Sequence, residues 1–251
     1  MGQRPDFVVT AVTGPASSQP GQTFNATATV CNQGTQATPS TGLALYLSQD
    51  TVITPSTSPG QGPDLSVGAA SLGALAPGGC QTVTLPVSYS PQEGIWYLGA
   101  VVDVGNTVPE FFEDNNSRAS SRVAIGNRPD YVVTSITGPA SVQRGQPFSA
   151  SVRVCNQGTM AGGTDVAVYL SEDSVITPAT PTHPGPDFLA GSGPTGPLAP
   201  GSCLTMTVNA VSSTSLTGAF NLGASVDAYG NAGNELLEDN NTRVGGRITV
   251  N

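Results

Sequence analysis

Arg4-Pro-Asp-Phe-Val-Val-Thr-Ala-Val-Thr-Gly-Pro-Ala-Ser17 returns as Arg128-Pro-Asp-Tyr-Val-Val-Thr-Ser-Ile-Thr-Gly-Pro-Ala-Ser141. Working outward, Val30-Cys-Asn-Gln-Gly-Thr35 returns as Val154-Cys-Asn-Gln-Gly-Thr159, and Leu98-Gly-Ala100 as Leu222-Gly-Ala224. Glu113-Asp-Asn-Asn116 returns as Glu238-Asp-Asn-Asn241. The offset is 124 in the first three cases and 125 in the last. Solenoid units run to roughly 20–50 residues, so this period is too long for one. It matches a whole domain of roughly 100–150 residues. Two domains are therefore expected, over residues 4–126 and 128–251.

Within one copy the apolar residues alternate with period two. Strands are predicted over Phe7–Val12, Thr23–Cys31, Leu43–Ser48, Leu65–Leu72, Gln81–Tyr89, Ile95–Asp103 and Arg118–Ile125. Turn signals separate them, Gly14-Pro15 and Leu75-Ala-Pro-Gly78 among them. No window carries a capped 3.6-residue period. Seven short strands per copy point to an all-β chain, two tandem immunoglobulin-like β-sandwich domains. Two sheets face to face bury every apolar face at once. Trp96 aligns with Phe220, and both read as core plugs or end caps. About five residues, Pro129 among them, join the last strand of one copy to the first of the next, which predicts a stiff end-to-end rod.

Four cysteines fall as one equivalent pair per copy, Cys31 with Cys80 and Cys155 with Cys203. None is close enough in sequence for a CxxC motif. One disulfide per domain within a single sheet, and with it an oxidising compartment, is the expectation. Four buried thiols would be the alternative. A bridge across a loop this long contributes on the order of 4 kcal/mol in the chain-entropy model.

Charged residues make up 10% of the chain, which carries no Lys, one His and a net charge of −9. That balance disfavours nucleic acid and anionic membranes as partners. No stretch approaches the roughly 18 apolar residues of a membrane span. His183 stands alone on a Pro-rich loop of the second copy. Without a second His or any Lys, triad and Schiff-base chemistry lose their base, so no enzyme is expected. Glu110 and Glu113 share a turn, which does not suit a glycosidase pair set across a groove. No signal peptide opens the chain, and Met1-Gly2 reads as a start added to a segment cut from a longer protein.

The densest polar cluster closes each copy. Candidate metal ligands are Asp103, Asn106, Glu110, Glu113, Asn115 and Asn116, matched by Asp227, Asn231, Glu235, Glu238, Asn240 and Asn241, with Asp114 and Asp239 between them. Oxygen donors packed this closely suit Ca²⁺, which takes six to eight oxygens. The plainer reading is that Asn and Asp pin a turn, with no cofactor at all. The spacing is not that of an EF-hand. A second pair per copy, Asp50 with Asp64 and Asp173 with Asp187, flanks a Pro/Gly-rich excursion and reads as turn caps.

These residues resemble the CARDB family, the cell-adhesion-related domain found in bacteria. The resemblance rests on Pro5-Asp-Phe-Val-Val9, Val30-Cys-Asn-Gln-Gly34, Tyr46-Leu-Ser48 with Asp50, Leu75-Ala-Pro-Gly78, Val101-Val-Asp103 and Glu110-Phe-Phe-Glu-Asp-Asn-Asn116. It covers nearly the whole chain, once per repeat. It implies an immunoglobulin-like sandwich on secreted or surface proteins, often in tandem, with no activity of its own. The expected function is thus a non-catalytic structural or adhesion module of a secreted or cell-surface bacterial protein, a rigid tandem spacer or protein-interaction segment. Stabilisation by Ca²⁺ and self-association into fibres through edge strands are further options. The alternative is a carbohydrate- or protein-binding accessory module attached to a secreted enzyme.

Overall fold

Alternation decides which side of each strand is buried. In β1 (Phe7–Thr13) Phe7 and Val9 face inward, then the phase breaks and Val12 is the next buried residue. The break is a β-bulge: the register against β3 (Phe24–Asn32) slips between Val9 and Ala11, leaving Thr10 as the extra residue. Ala26, Ala28 and Val30 continue the inward face on β3. The computed structural model describes residues 2–55, 63–88, 92–178, 185–230 and 233–251, and of Ser121 the backbone alone. The chain forms two compact units, Met1–Gly126 and Asn127–Asn251.

The first unit is a sandwich of two sheets. One has the order β1-β3-β6, with β6 spanning Cys80–Val87. The other has the order β2-β8-β7-β4-β5, formed by β2 (Ser17–Ser18), β4 (Thr41–Ser48), β5 (Leu65–Leu72), β7 (Gly94–Val102) and β8 (Ser117–Ile125). The second unit repeats this plan. Its smaller sheet is β14-β11-β9, from β9 (Tyr131–Thr137), β11 (Pro147–Asn156) and β14 (Cys203–Val211). Its larger sheet is β10-β16-β15-β12-β13, from β10 (Ser141–Val142), β12 (Asp165–Ser171), β13 (Phe188–Pro194), β15 (Gly218–Val226) and β16 (Thr242–Val250).

All seven strands predicted per copy are present. Each unit adds a two-residue strand, β2 or β10, paired in parallel with the last strand. After the Gly-Pro turn the chain crosses from one sheet to the other, a step that two residues of pattern cannot announce. Tyr89 and His183 lie outside the described residues. Trp96 and Phe220 are buried in the two cores, as their alignment suggested.

The described start of the Pro/Gly-rich excursion, through Ile53, covers part of the outer face of the large sheet. Ile53 packs there against Ala44, Tyr46 and Val101. Gly99 makes the room: a Cβ on it would run into the Ile53 side chain, and Gly223 bears the same relation to Ile176. The flanking aspartates serve the loop's own backbone. Asp50 accepts from Val52 N–H at 2.8 Å and Asp64 from Thr54 N–H at 2.6 Å. Asp173 and Asp187 do the same for Val175 and Thr177, each at 2.7 Å.

Both cysteine pairs are bonded, Cys31 to Cys80 and Cys155 to Cys203. Each bridge joins residues directly opposite one another within the small sheet, on β3 and β6 or on β11 and β14.

Candidate functional site

The segment between the last two strands of each copy is held down by its own carboxylates. Asp103 was expected as the end of the strand; it sits instead just beyond β7, in the left-handed region at φ 50°. A short acceptor side chain tolerates that conformation. Its carboxylate accepts from Val108 N–H at 2.8 Å, Thr107 Oγ1 at 2.8 Å and Thr41 Oγ1 at 3.0 Å. Burial works against its charge, but these donors outweigh burial and hold the acid below its ordinary range.

Glu110 is the buried member, 2% exposed. Its carboxylate accepts from Phe7 N–H, the first residue of β1, at 2.8 Å. With its amide nitrogen turned toward the acceptors, Asn116 donates to Phe7 O at 2.7 Å and to the Glu110 carboxylate at 3.1 Å. Glu113 accepts from Glu110 N–H at 2.9 Å, and Asn115 donates to Asp6 Oδ1 at 3.1 Å. Burial pushes Glu110 up to about 7; Glu113 and Asp103 add to the shift, and the Phe7 and Asn116 donors oppose it.

Copy two builds the same clasp. Glu235, 3% exposed, accepts from Tyr131 N–H at 3.1 Å and from Asn241 Nδ2 at 2.7 Å. Glu238 accepts from Glu235 N–H at 2.8 Å, and Asn240 donates to Asp130 Oδ1 at 3.0 Å. Burial raises Glu235 to about 8, with Asp227 and Glu238 adding their repulsion.

The sequence-predicted ligands divide by copy. In copy two the carboxylate oxygens of Asp227, Glu235 and Glu238 all lie within 4.8 Å of one another. Among the described residues no triad of copy one meets that condition. There Asp103, Asn106, Glu113 and Asn116 line one open cavity of about 230 Å³ together with Ile53 and Asp114. Glu110 and Asn115 are turned to the start of β1 instead. Asn231 lies outside the described residues. Two amide oxygens of copy two, Asn240 Oδ1 and Asn241 Oδ1, are buried and accept no hydrogen bond.

Sequence reasoning missed a pair of residues on which the clasp depends. Asn32 and Asn156 are fully buried at the ends of β3 and β11. Asn32 accepts from Asp6 and Gly34 N–H and donates to Gln36 and Leu75 carbonyls. Asn156 repeats all four contacts with Asp130, Gly158, Met160 and Leu198. Each asparagine thus orients the Asp that its neighbouring loop grips. The repeated Cys-Asn-Gln-Gly was the available signal, but as sequence it reads only as a turn. Gly34 and Gly158 are required there, since a Cβ on either would meet the backbone of Arg4 to Asp6 or of Arg128 to Asp130.

The CARDB family model matches residues 4–120 and again residues 128–244. The chain belongs to the CARDB family. No curated protein matches it. Among solved structures it is similar to the CARDB domain of the PF1109 protein from Pyrococcus furiosus, determined in complex with di-metal ions. That likeness is 23% identical and covers 50% of this chain and 97% of that one, at a TM-score of 0.39. It is also similar to residues 272–376 of a protein named for the cell surface in Methanosarcina acetivorans. The identity there is 22%, with 49% of this chain and 92% of that one covered at a TM-score of 0.35. Red sea bream transglutaminase aligns with the full CARDB pair at 12% identity, over 32% of its own length, with a TM-score of 0.41. Among the described residues no helix is long and apolar enough to cross a membrane.

Proposed function

We propose that this tandem CARDB segment is a non-catalytic structural and interaction module of a secreted or cell-surface bacterial protein, serving as a spacer whose domains are locked against unfolding. The observation that carries the reading is the duplicated clasp. In both copies the buried glutamate is spent on the first N–H of the opening strand, and one asparagine of the same loop, Asn115 or Asn240, donates to the Asp just before that strand. Groups committed to holding a strand start in place serve cohesion, and no nucleophile–base pair stands among them. One covalent cross-link per unit, in its small sheet, supports the same reading, and so does its meaning for an oxidising location. Among the described residues, edge strands β5 and β13 each leave one ladder unpaired, which favours strand pairing between molecules.

Ca²⁺ belongs to this reading as a stabiliser of the second copy. Asp227, Glu235 and Glu238 converge there, and three carboxylates at such separations repel one another unless a cation or a proton intervenes. The test is calorimetry of the full chain after chelation. Added Ca²⁺ at a hundredfold excess over its dissociation constant stabilises the binding domain by about 2.7 kcal/mol. Glu238→Gln, on an exposed side chain, is expected to abolish that gain. A flat response across millimolar Ca²⁺ removes the cation from the reading. Sedimentation velocity tests association separately, and a chain that stays monomeric at high concentration removes self-assembly.

A second reading, ligand recognition by the same loops, has one observation in its favour. Phe112 is 61% exposed and Tyr229 41% exposed, each on the loop of its copy. Exposed aromatics are what sugar stacking or a protein anchor would use.

A further inference from the structure

The two disulfides occupy equivalent positions but face different neighbours. In each small sheet the bulged threonine of the opening strand turns its hydroxyl toward a cysteine sulfur. Thr10 Oγ1 is 3.6 Å from Cys31 Sγ, and Thr134 Oγ1 is 3.9 Å from Cys155 Sγ. Copy two adds a cation. Arg153, two residues before Cys155 and on the same face of β11, donates from Nη1 to Cys155 Sγ at 3.4 Å. The same nitrogen donates to Thr134 Oγ1 at 3.3 Å, which holds the guanidinium against the sulfur. The matching position in copy one is Thr29, whose hydroxyl is paired with Thr82 at 2.8 Å.

A disulfide opens when a thiolate attacks one sulfur and the other departs as a thiolate, faster when the departing thiolate is better stabilised. A neighbouring guanidinium supplies that stabilisation. Access favours the same direction of attack, because Cys203 is exposed whereas Cys155 is 6% exposed. We propose that Cys155–Cys203 is a thiol–disulfide exchange site for a low-molecular-weight thiol, which bonds to Cys203 and releases Cys155 as a thiolate beside Arg153.

The step balances without a further reagent. The incoming sulfur forms its bond to Cys203 Sγ, the Cys155–Cys203 bond breaks, and its electron pair remains on Cys155 Sγ. No proton need move. A second equivalent of thiol then reduces the mixed disulfide, leaving both cysteines as thiols and the small thiol as its own disulfide. Cys31–Cys80, with no such cation against it among the described residues, is the slower bond. This inference goes beyond the structural role proposed above and stands or falls separately from it.

The test treats the native chain with glutathione near neutral pH, quenches with an alkylating agent at timed intervals, and maps all four cysteines by mass spectrometry. The expected result is earlier opening of the second disulfide, with glutathione on Cys203 and the alkyl label on Cys155. Each pK unit of leaving-group stabilisation speeds departure by about threefold, taking a sensitivity like that of the nucleophile. Arg153→Thr should remove the difference, and Thr29→Arg should confer it on Cys31–Cys80. High salt should shrink it in the native chain, since the guanidinium is solvent-exposed. Equal opening rates, glutathione on Cys155, or a preference untouched by Arg153→Thr would each overturn the proposal.

Discussion

The loop after β7 and the loop after β15 do one mechanical job with different electrostatics. Glu110 follows Asp103 by seven positions, whereas Glu235 follows Asp227 by eight. In the shorter loop Thr107 and Val108 fold back on Asp103 and satisfy its carboxylate. The longer loop, residues 228–234, contains neither Ser nor Thr. Asp227 keeps the bond from Thr164 Oγ1 at 3.0 Å, the counterpart of Thr41 in copy one, but its carboxylate stands close to Glu235 and Glu238. The loop that is one residue longer is also the one in which three carboxylates converge. Burial raises the buried glutamate in both copies, to about 7 for Glu110 and about 8 for Glu235, and neighbouring carboxylates add to the rise in each.

The largest effect of a single substitution should come where the copies are alike. Asn32→Ala and Asn156→Ala each strip four hydrogen bonds from a fully buried position and leave backbone groups unsatisfied. Each should cost its own domain about 3 kcal/mol in urea unfolding. Clearly unequal costs would show that the two clasps are not built the same way.

Next comes pH, measured with a chelator present. Both glutamates have folded pKa values above the unfolded one, so the folded state retains a proton that the unfolded chain releases. Their contribution is fully present below about 4.5 and is lost as pH rises through about 7 in copy one and about 8 in copy two. At about 1.4 kcal/mol per pH unit, copy one should lose roughly 3 kcal/mol and copy two roughly 5 kcal/mol across their windows, with copy two still falling between pH 7 and 8. Glu235→Gln should flatten that last portion and leave copy one's profile alone; a slope that survives this substitution would refute the assignment. Asp103 acts with the opposite sign, stabilising above its unfolded value and losing that contribution as pH falls through its lowered one.

The smallest effect is the most specific. Thr107→Ala removes one donor to Asp103 and should destabilise copy one by about 1 kcal/mol without moving the unfolding of copy two. If both domains shift, the loops are coupled in a way that the comparison of separate clasps does not allow.

Much of the fold was readable from the sequence because period-two alternation and Gly/Pro turns are local signals. The exceptions have physical causes. The Thr10 bulge reverses the phase inside β1, and the two-residue strands that change sheets are shorter than any pattern. The candidate site was legible as composition only. Nothing in Glu113-Asp-Asn-Asn116 distinguishes Asn115, which reaches back to Asp6, from its neighbour Asn116, which meets Glu110 and Phe7. Arg153 read as one charge among eight basic residues until β11 brought it against Cys155.

By itself the sequence determined that the chain is two copies of one all-β domain with a cysteine pair in each, because repetition, alternation and cysteine count survive in one dimension. Which carboxylates are buried, which of them meet, and which sulfur lies beside a guanidinium were decided by tertiary structure. Those properties depend on distances between residues about a hundred positions apart, as between Phe7 and Glu110, and on how much water the packed sheets exclude.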